Sequence, residues 1–574
     1  MLNDLIIDRA QRPLWMPQLR ERFAAEAGSR PVILRLTLHD GTQRDCALML
    51  PRGQNEAERA LVRDFFYAEV YNLLTVCSGR EVRVFCDTRD VELCALLEDL
   101  DTVFQRRIKP RGGYGKVLSL AERIGGGCAF ALSPLEEYCP LPPREEMACH
   151  DLAGLLLTQA RRAEGLRLCG IDVGGSDIKL AASDRGRLIC VKEYDWDPSR
   201  ARTAGEISGP ILLLARLMRS CLAADTLEGS DPLRQQLDAA LCKDATDAQM
   251  RCAVEAAEAR FGAAIDCLDG IGVSFPDIVI DDRIVGGETP KTAGMRANPD
   301  VDYETAFAEL GRLKEPLIAL CREGGTVRLA NDGNMAAYTA AVELACGGAG
   351  EELDRGVIAH SLGTDLGTGW LLPDGTLPRL PLELYDMILD LGSTDARAYP
   401  PADLRSVRNE NSGLAGARRY MGQAAAYRLA WELDSRLLDG FAERRDGILC
   451  IPTQPKDLRK PCLEHLMRLA AEGEPSACEI FRRIGEHLAT VSRQLDSMLA
   501  PDTRERFLFG RFVKDPACFA LLKAGFDSAD TGLTLRAGGD GLAFSPLMRQ
   551  LADRKDVTVA QFGQAVGALI FAVS

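Results

Sequence analysis

Two glycine-rich turns constrain this chain more than any other feature of its 574 residues. The first lies in GIDVGGSDIKL (170–180), between the apolar runs LRLCGID (166–172) and DIKLAAS (177–183). The second, LGTDLGTGW (362–370), follows GVIAHSLG (356–363) about 190 residues downstream. Short apolar runs bounded by such turns read as strands. Glycine lets the backbone reach φ > 0 and brings amides close to an anion. One such turn is ordinary hairpin chemistry. Two of them facing each other across a cleft would clamp a triphosphate from both sides, with Gly174, Gly175 and Ser176 on one side and Gly363, Thr364, Gly367, Thr368 and Gly369 on the other. Neither turn has P-loop spacing, and no helix follows the first.

A third segment, LANDGNMAAYTAAVEL (329–344), ends a strand at Asn331-Asp332-Gly333 and begins a helix near Asn334. A carboxylate at a strand end faces the crevice of an α/β sheet, so Asp332 is the candidate to accept a proton from an attacking hydroxyl. The alternative is that Asp332 or Asn334 merely caps the helix. Asp172, also at a strand end, could hold a hydrated Mg²⁺ beside the phosphates.

From Leu166 onward strands alternate with helices, the grammar of an α/β architecture. RLICVKEY (187–194), LDGIGVSF (268–275) and TVRLAND (326–332) read as further strands, with a helix-rich stretch over about 205–262. The strand at 356–363 opens a hairpin expected to turn at Asp374-Gly375. Long helices are expected near 413–440 and 475–499, and the chain closes with the strand RFLFG (506–510) and a helix over 557–572. Two similar strand-hairpin halves, beginning near 166 and 356, suggest an internal duplication.

Residues 1 to about 150 read as a separate α+β unit. PVILRLTL (31–38) and TQRDCALM (42–49) flank an Asp-Gly hairpin signal at Asp40-Gly41, and EVRVFC (81–86) is another strand. Asn55 can cap a long helix, with Glu58 in the capping-box position and Leu61, Phe65 and Ala68 on one face. The unit ends in the proline-rich SPLEEYCPLPPREEM (133–147), which reads as a linker.

Charge narrows the function classes. With 69 Lys+Arg against 84 Asp+Glu the formal net charge is −15, which argues against general affinity for nucleic acid or an anionic membrane. No apolar run reaches the roughly 18 residues of a membrane span, and the opening MLNDLIIDRAQRPLW lacks the order of a secretory signal. The 19 cysteines are scattered without a CxxC pair. A reducing cytoplasm is the expected location.

Taken together, DVGGSDIK (172–179), GIGVSFPDIV (270–279), NDGNMAAYTAAVE (331–343), SLGTDLGTGW (361–370), and LFGRFVKD (508–515) with AQFGQAVGALIFA (560–572) resemble the ROK family. These are bacterial glucokinase-like sugar kinases of the actin-like ATPase superfamily. The resemblance runs in order over about 166–574. It implies a two-lobed actin-like (ribonuclease H-like) α/β fold with an added N-terminal α+β domain. The implied division is 1–150 for that domain, 151–328 plus the C-terminal helix 557–574 for lobe I, and 329–556 for lobe II. It further implies Asp332 as catalytic base and Asp172 as the residue near Mg²⁺. Gly174, Gly175, Ser176, Lys179 and the 363–369 loop would meet the phosphates of ATP, Gly510 would lie near adenosine, and Asn331 near the sugar.

The chain also departs from that pattern. Asp177 stands where the family has lysine, and Gly510 is followed by Arg511 and Phe512 rather than by glycines. The Glu-x-Gly-His sugar motif is missing; its nearest counterpart is LPLELYD (380–386), with Glu383 for the glutamate and Asp386 in place of His. No cysteine or histidine occurs between 371 and 420, so no structural zinc is expected. GGETPKTAGMRAN (286–298) offers Glu288, Lys291 and Asn298 to a polar substrate, or else is a solvated loop. RGGYGK (111–116) reads as an ordinary loop and His360 as a packed strand histidine. The expected function is an ATP-dependent phosphotransferase acting on a hydroxyl of a sugar or related polyol. The alternatives are a non-catalytic sugar or nucleotide sensor, a protein-interaction module on the same fold, and an ATPase with another acceptor. A small sugar or polyol is the expected partner, with no nucleic acid and no membrane; a homodimer is the candidate assembly.

Overall fold

The computed structural model describes residues 2–109, 111–142, 151–287, 290–392, 399–407, 415–538 and 540–574. Glu288 therefore lies outside the described residues, as do residues 143–147 of the proline-rich stretch.

Three sheets organise the chain. The N-terminal one has order β2-β1-β3-β4, from Arg30–Thr37 (β1), Gln43–Leu50 (β2), Glu81–Cys86 (β3) and Ala129–Pro134 (β4). Between β2 and β3 runs the helix Glu56–Cys77 (α1). Asn55 accepts from the Glu58 amide at 3.0 Å, while Glu58 reaches back to the Gln54 amide at 2.6 Å, one residue short of a full capping box. Leu61, Phe65 and Ala68 are fully buried along its inner face.

The second sheet is built from Arg167–Val173 (β5), Asp177–Asp184 (β6), Arg187–Asp195 (β7), Leu268–Phe275 (β8) and Cys321–Asn331 (β9). Its order is β9-β8-β5-β6-β7: an antiparallel meander of β5, β6 and β7, with β8 and β9 added in parallel on the other side of β5. The third sheet repeats that plan without a third meander strand. Val357–Leu362 (β10) pairs antiparallel with Leu366–Leu371 (β11) and parallel with Glu505–Gly510 (β12), and Thr534–Ala537 (β13) extends it in parallel. The two halves share a hairpin-plus-parallel-strand topology. The hairpin turns at 363–365, whereas Asp374-Gly375 forms a separate turn after β11, closed by the Leu372 amide on Thr376 at 2.9 Å. Gly363 is already bonded to Asp365 there, so the chain reverses nine residues earlier than the Asp-Gly signal suggested.

Two helices cross between the sheets. Asp332–Cys346 (α2) packs on β10 and β11, and Val559–Phe571 (α3) packs on β5, β6 and β8 and against α2. Small residues make the close approach possible. A Cβ at Gly170 or Gly272 would collide with backbone of α3, and one at Gly567 with Thr339 of α2.

The N-terminal sheet does not stand apart. Its apolar residues belong to one continuous core with those of the third sheet and its helices. Buried polar bonds fix the docking: the Asn72 side chain bonds both backbone groups of Ile388, at 2.8 and 2.7 Å. Trp15 stacks edge-on with Tyr420 at 4.7 Å. The same region touches the second sheet's lobe more lightly, through Leu120 against Ile278, Ile280 and Val285, and through Arg123, which pairs with Glu304 at 2.8 Å.

Candidate functional site

The first and third sequence segments converge because strands β5, β8 and β9 are parallel and end on the same side of their sheet. Asp172 at the end of β5 is in register with Lys179 of β6 and Ser274 of β8, and accepts the Ser274 hydroxyl at 2.9 Å. Asn331, ending β9, is the N-cap of α2: its side-chain oxygen accepts the Gly333 amide at 2.9 Å and its amide donates to Asp277 O at 3.0 Å. Asp332 is therefore the first helical residue, and its Oδ1 shares the Gly333 amide with Asn331, at 2.8 Å. Asn334 is not the cap either; it is buried and accepts the Trp370 amide at 3.0 Å.

Two cavities flank Asp332. One, of ≈ 450 Å³, is bounded by Pro276, Asp277, Lys291, Asn331, Glu383 and Tyr385. The other, of ≈ 310 Å³, is bounded by Asp172, Lys179, Lys460, Gly510, Arg511 and Lys514, with Leu542, Met548 and Val559 as an apolar wall. Gly174, Ser176, Asp332, Ser361, Gly363 and Thr364 line both. The two glycine turns and Asp332 thus form the boundary across which a group could pass from one cavity to the other.

The glycines serve this boundary for steric reasons. None of Gly174, Gly175, Gly363, Gly367 and Gly369 has φ > 0, contrary to the expectation from their sequence. A Cβ at Gly174 would lie 2.8 Å from the Asp177 carbonyl oxygen, so the turn is too tight for a side chain. A Cβ at Gly363 would meet nothing within 4 Å, although the residue's amide donates to Asp365 O at 3.0 Å and its carbonyl accepts the Gln423 amide at 3.1 Å. A Cβ at Gly367 would sit 3.3 Å from Asp332 Oδ1. Gly369 belongs to packing instead: a Cβ there would strike the backbone of Gly333 and Asn334. Thr368 also departs from its expected role, since its hydroxyl is engaged with His360 Nδ1 at 2.9 Å on the buried side of the sheet. His360 is fully buried, and burial depresses its pKa to about 3. Gly510, at φ +99, does require glycine's freedom and lines the smaller cavity.

Carboxylates here are hard to ionise together. Burial raises the Asp332 carboxyl, against which the Lys291 ammonium and the Gly333 amide pull. Burial pushes Asp172 up to about 6, with Asp332 and Asp177 adding repulsion. A hydrated divalent cation near Asp172 would offset that repulsion, so the donor set fits Mg²⁺ held through water by one carboxylate and by substrate phosphates. Among the described residues no group of three or more His, Cys, Asp or Glu is arranged as a metal cage. Asp177 is ion-paired with Lys179, which offsets its charge beside the first turn. Burial raises Glu383 well above the ordinary carboxylate range, with Asp277 and Asp386 next to it.

Sequence reasoning left Lys291 between contact with a polar substrate and a solvated loop; it lines the larger cavity, donating to Pro276 O at 2.9 Å. Asn298 does not reach the cavity and bonds Arg202. Arg418, paired with Asp365 at 2.9 Å, and the buried Asp277 were missed. Asp277 carried a usable signal: it follows Pro276 directly after β8, at a strand end like Asp172 and Asn331.

No protein-family model matches the chain, and no curated protein matches it. Among solved structures it is similar to a ROK family glucokinase from Streptomyces griseus in complex with glucose and AMPPNP, at 16% identity and a TM-score of 0.39 over 71% of this chain and 99% of that one. It is similar to a glucokinase from Balamuthia mandrillaris in complex with glucose, at 14% identity and a TM-score of 0.39 over 69% of this chain and 98% of that one. A third likeness is a ROK hexokinase from Thermus thermophilus, at 16% identity and a TM-score of 0.36 over 71% and 98%.

Proposed function

We propose that the chain is an ATP-dependent phosphotransferase acting on a hydroxyl of a sugar or related polyol, with Asp332 as general base. The observation that carries this reading is the position of Asp332 on the boundary between two cavities, between two glycine turns. In this reading the larger cavity holds the acceptor and the smaller one ATP, whose base lies against Leu542, Met548 and Val559. The acceptor hydroxyl gives its proton to Asp332 and attacks the γ-phosphorus, forming the O–P ester bond while the bond to ADP breaks. Lys291 steadies the ionised Asp332, and the amide at Gly175 receives a phosphate oxygen. Bound Mg²⁺ would supply charge neutralisation at the phosphates.

Asn331 holds the cap and the Asp277 carbonyl, so its role is to position Asp332; Glu383 and Asp277 are the candidate acceptor-binding carboxylates. The division into 1–150, 151–328 with 557–574, and 329–556 belongs to the same proposal. So does the cytoplasmic location, favoured by free thiols on the cysteines of the described residues. A sensor that binds without turnover is favoured by one feature, Arg511 lining the nucleotide cavity. The discriminating experiment is ADP release from Mg-ATP across hexoses, amino sugars and polyols, with Asp332→Asn alongside. Acceptor-dependent release that collapses in the variant supports the kinase; ATP-induced thermal stabilisation with no release under any acceptor supports the sensor.

A further inference from the structure

The segment that carries Glu383 and Tyr385 is held in place by the N-terminal region. The Leu382 amide donates to the carbonyl of Val76, in α1, at 3.0 Å. Leu382 itself has φ +55, a left-handed conformation a leucine keeps only where its surroundings impose it. Further along, Asn72 clasps Ile388, and the Leu14 amide donates to Asp390 Oδ1 at 2.6 Å.

Behind Glu383 lies a small cavity of ≈ 50 Å³, which shares Asp277, Glu383 and Tyr385 with the large one. Its far wall comes from the N-terminal region: Tyr71 and Thr75 of α1, then Lys116 and Leu120. Thr75 is 4% exposed, and its hydroxyl has no hydrogen-bond partner. Helical threonines normally bond the carbonyl four residues back, as Thr158 does to Gly154 at 2.8 Å and Thr339 to Met335 at 2.7 Å. Thr75 forgoes that bond. A buried hydroxyl left unsatisfied is destabilising, so its partner is sought in what fills the cavity.

We propose that Thr75 and Lys116 are acceptor-specificity residues: the N-terminal region closes the deep end of the acceptor cavity and reads a hydroxyl-bearing substituent remote from the phosphorylated oxygen. This deepens the phosphotransferase reading and rests on it for the word acceptor. The cavity has room for a small polar group and not for a second sugar ring. Thr75 can donate to or accept from a hydroxyl, Lys116 donates, and Glu383 accepts.

The test uses the full chain with Thr75→Val, which keeps shape and removes the hydroxyl, and with Lys116→Met. ADP release is measured with an acceptor active on the wild type and with its deoxy analogues. Acceptor-induced thermal stabilisation is measured in parallel. Thr75→Val is expected to raise the acceptor KM about tenfold, leave the ATP KM and the unliganded Tm unlowered, and erase the preference for the parent over one deoxy analogue. Lys116→Met is expected to raise the acceptor KM in the same direction. Wild-type KM and an intact preference in both variants would overturn the proposal. Should the wild type show no turnover, acceptor-induced stabilisation that is lost in Thr75→Val would sink the phosphotransferase reading and keep this one. Stabilisation equal in all three proteins, or absent with every acceptor, would overturn it.

Discussion

Gly333 offers the sharpest test of how the base is held. It is the second residue of α2, immediately after Asp332, where the helix end lies against β11. A methyl group there would lie 2.7 Å from the Thr368 amide nitrogen and nearer still to its carbonyl. Ordinary contact needs about 3.5 Å, so in Gly333→Ala the helix end retreats by about 1 Å, carrying Asp332 with it. Two effects oppose each other in stability. Alanine gains about 1 kcal/mol of helix propensity over glycine, whereas overpacking against backbone costs about 1–3 kcal/mol. Overpacking wins, and a modest fall in Tm is expected. For turnover no such offset exists: a 1 Å misplacement of a catalytic group costs about 10²-fold. The assay is acceptor-dependent ADP release at saturating ATP, with Tm by calorimetry. Gly363→Ala is the control, since its methyl meets nothing within 4 Å and should leave Tm unchanged while raising the ATP KM. Wild-type kcat in Gly333→Ala would refute the idea that helix-to-strand contact positions Asp332.

Other consequences follow from the charges. Asp332 must be ionised to act, and burial raises its pKa, so kcat/KM should fall on the acid side at a pH above the ordinary carboxylate range. Lys291→Met should move that limb to still higher pH, and a limb that stays put would remove Lys291 from the site. Asp332→Asn should lower kcat by about 10²–10⁴ while ATP still stabilises the fold. Asp277 is 5% exposed and burial raises its pKa to about 6 from 3.8, so the folded state keeps a proton that the unfolded chain releases. Its contribution to stability is therefore lost as pH rises through that window, by about 3 kcal/mol in all. Relative to Asp277→Asn, the wild-type Tm should drop between about pH 4 and about pH 7; parallel pH profiles would show that the carboxyl is not buried. Lys514 has its pKa lowered by burial and by Arg511, Lys460 and Lys179. Lys514→Met should raise the ATP KM without lowering the unliganded Tm, and an unchanged ATP KM would move the phosphates elsewhere.

Much of the framework was legible in the sequence because it is local. The strands at 167–173, 177–184, 268–275 and 505–510 are short apolar runs bounded by turn residues, and α1 and α3 follow helical spacing with their signals intact. Asp172, Asn331 and Asp332 could be found from one rule, that strand ends meet at the crevice. What glycine does at each turn was not legible. Gly369 looks like a phosphate-loop residue in sequence, yet it and Gly333 are there because a helix end and a strand need each other's backbone. Periodicity carries no record of such contacts between distant segments.

The same limit hid half of the acceptor cavity. Lys291 sits in a loop without periodicity, and Lys116 follows what reads as a plain Gly-rich turn. Thr75 lies in a helix whose buried face runs nearly all round, so nothing local marks it out. The sequence by itself determined where the strands of each half lie along the chain and which residues stand at their ends, since these depend on patterns a few residues long. Only the tertiary structure decided which side chains share a cavity. It bound the N-terminal helix to the segment of Glu383 through the Asn72 and Val76 bonds, across more than 300 residues, and no local pattern encodes bonds between segments that distant.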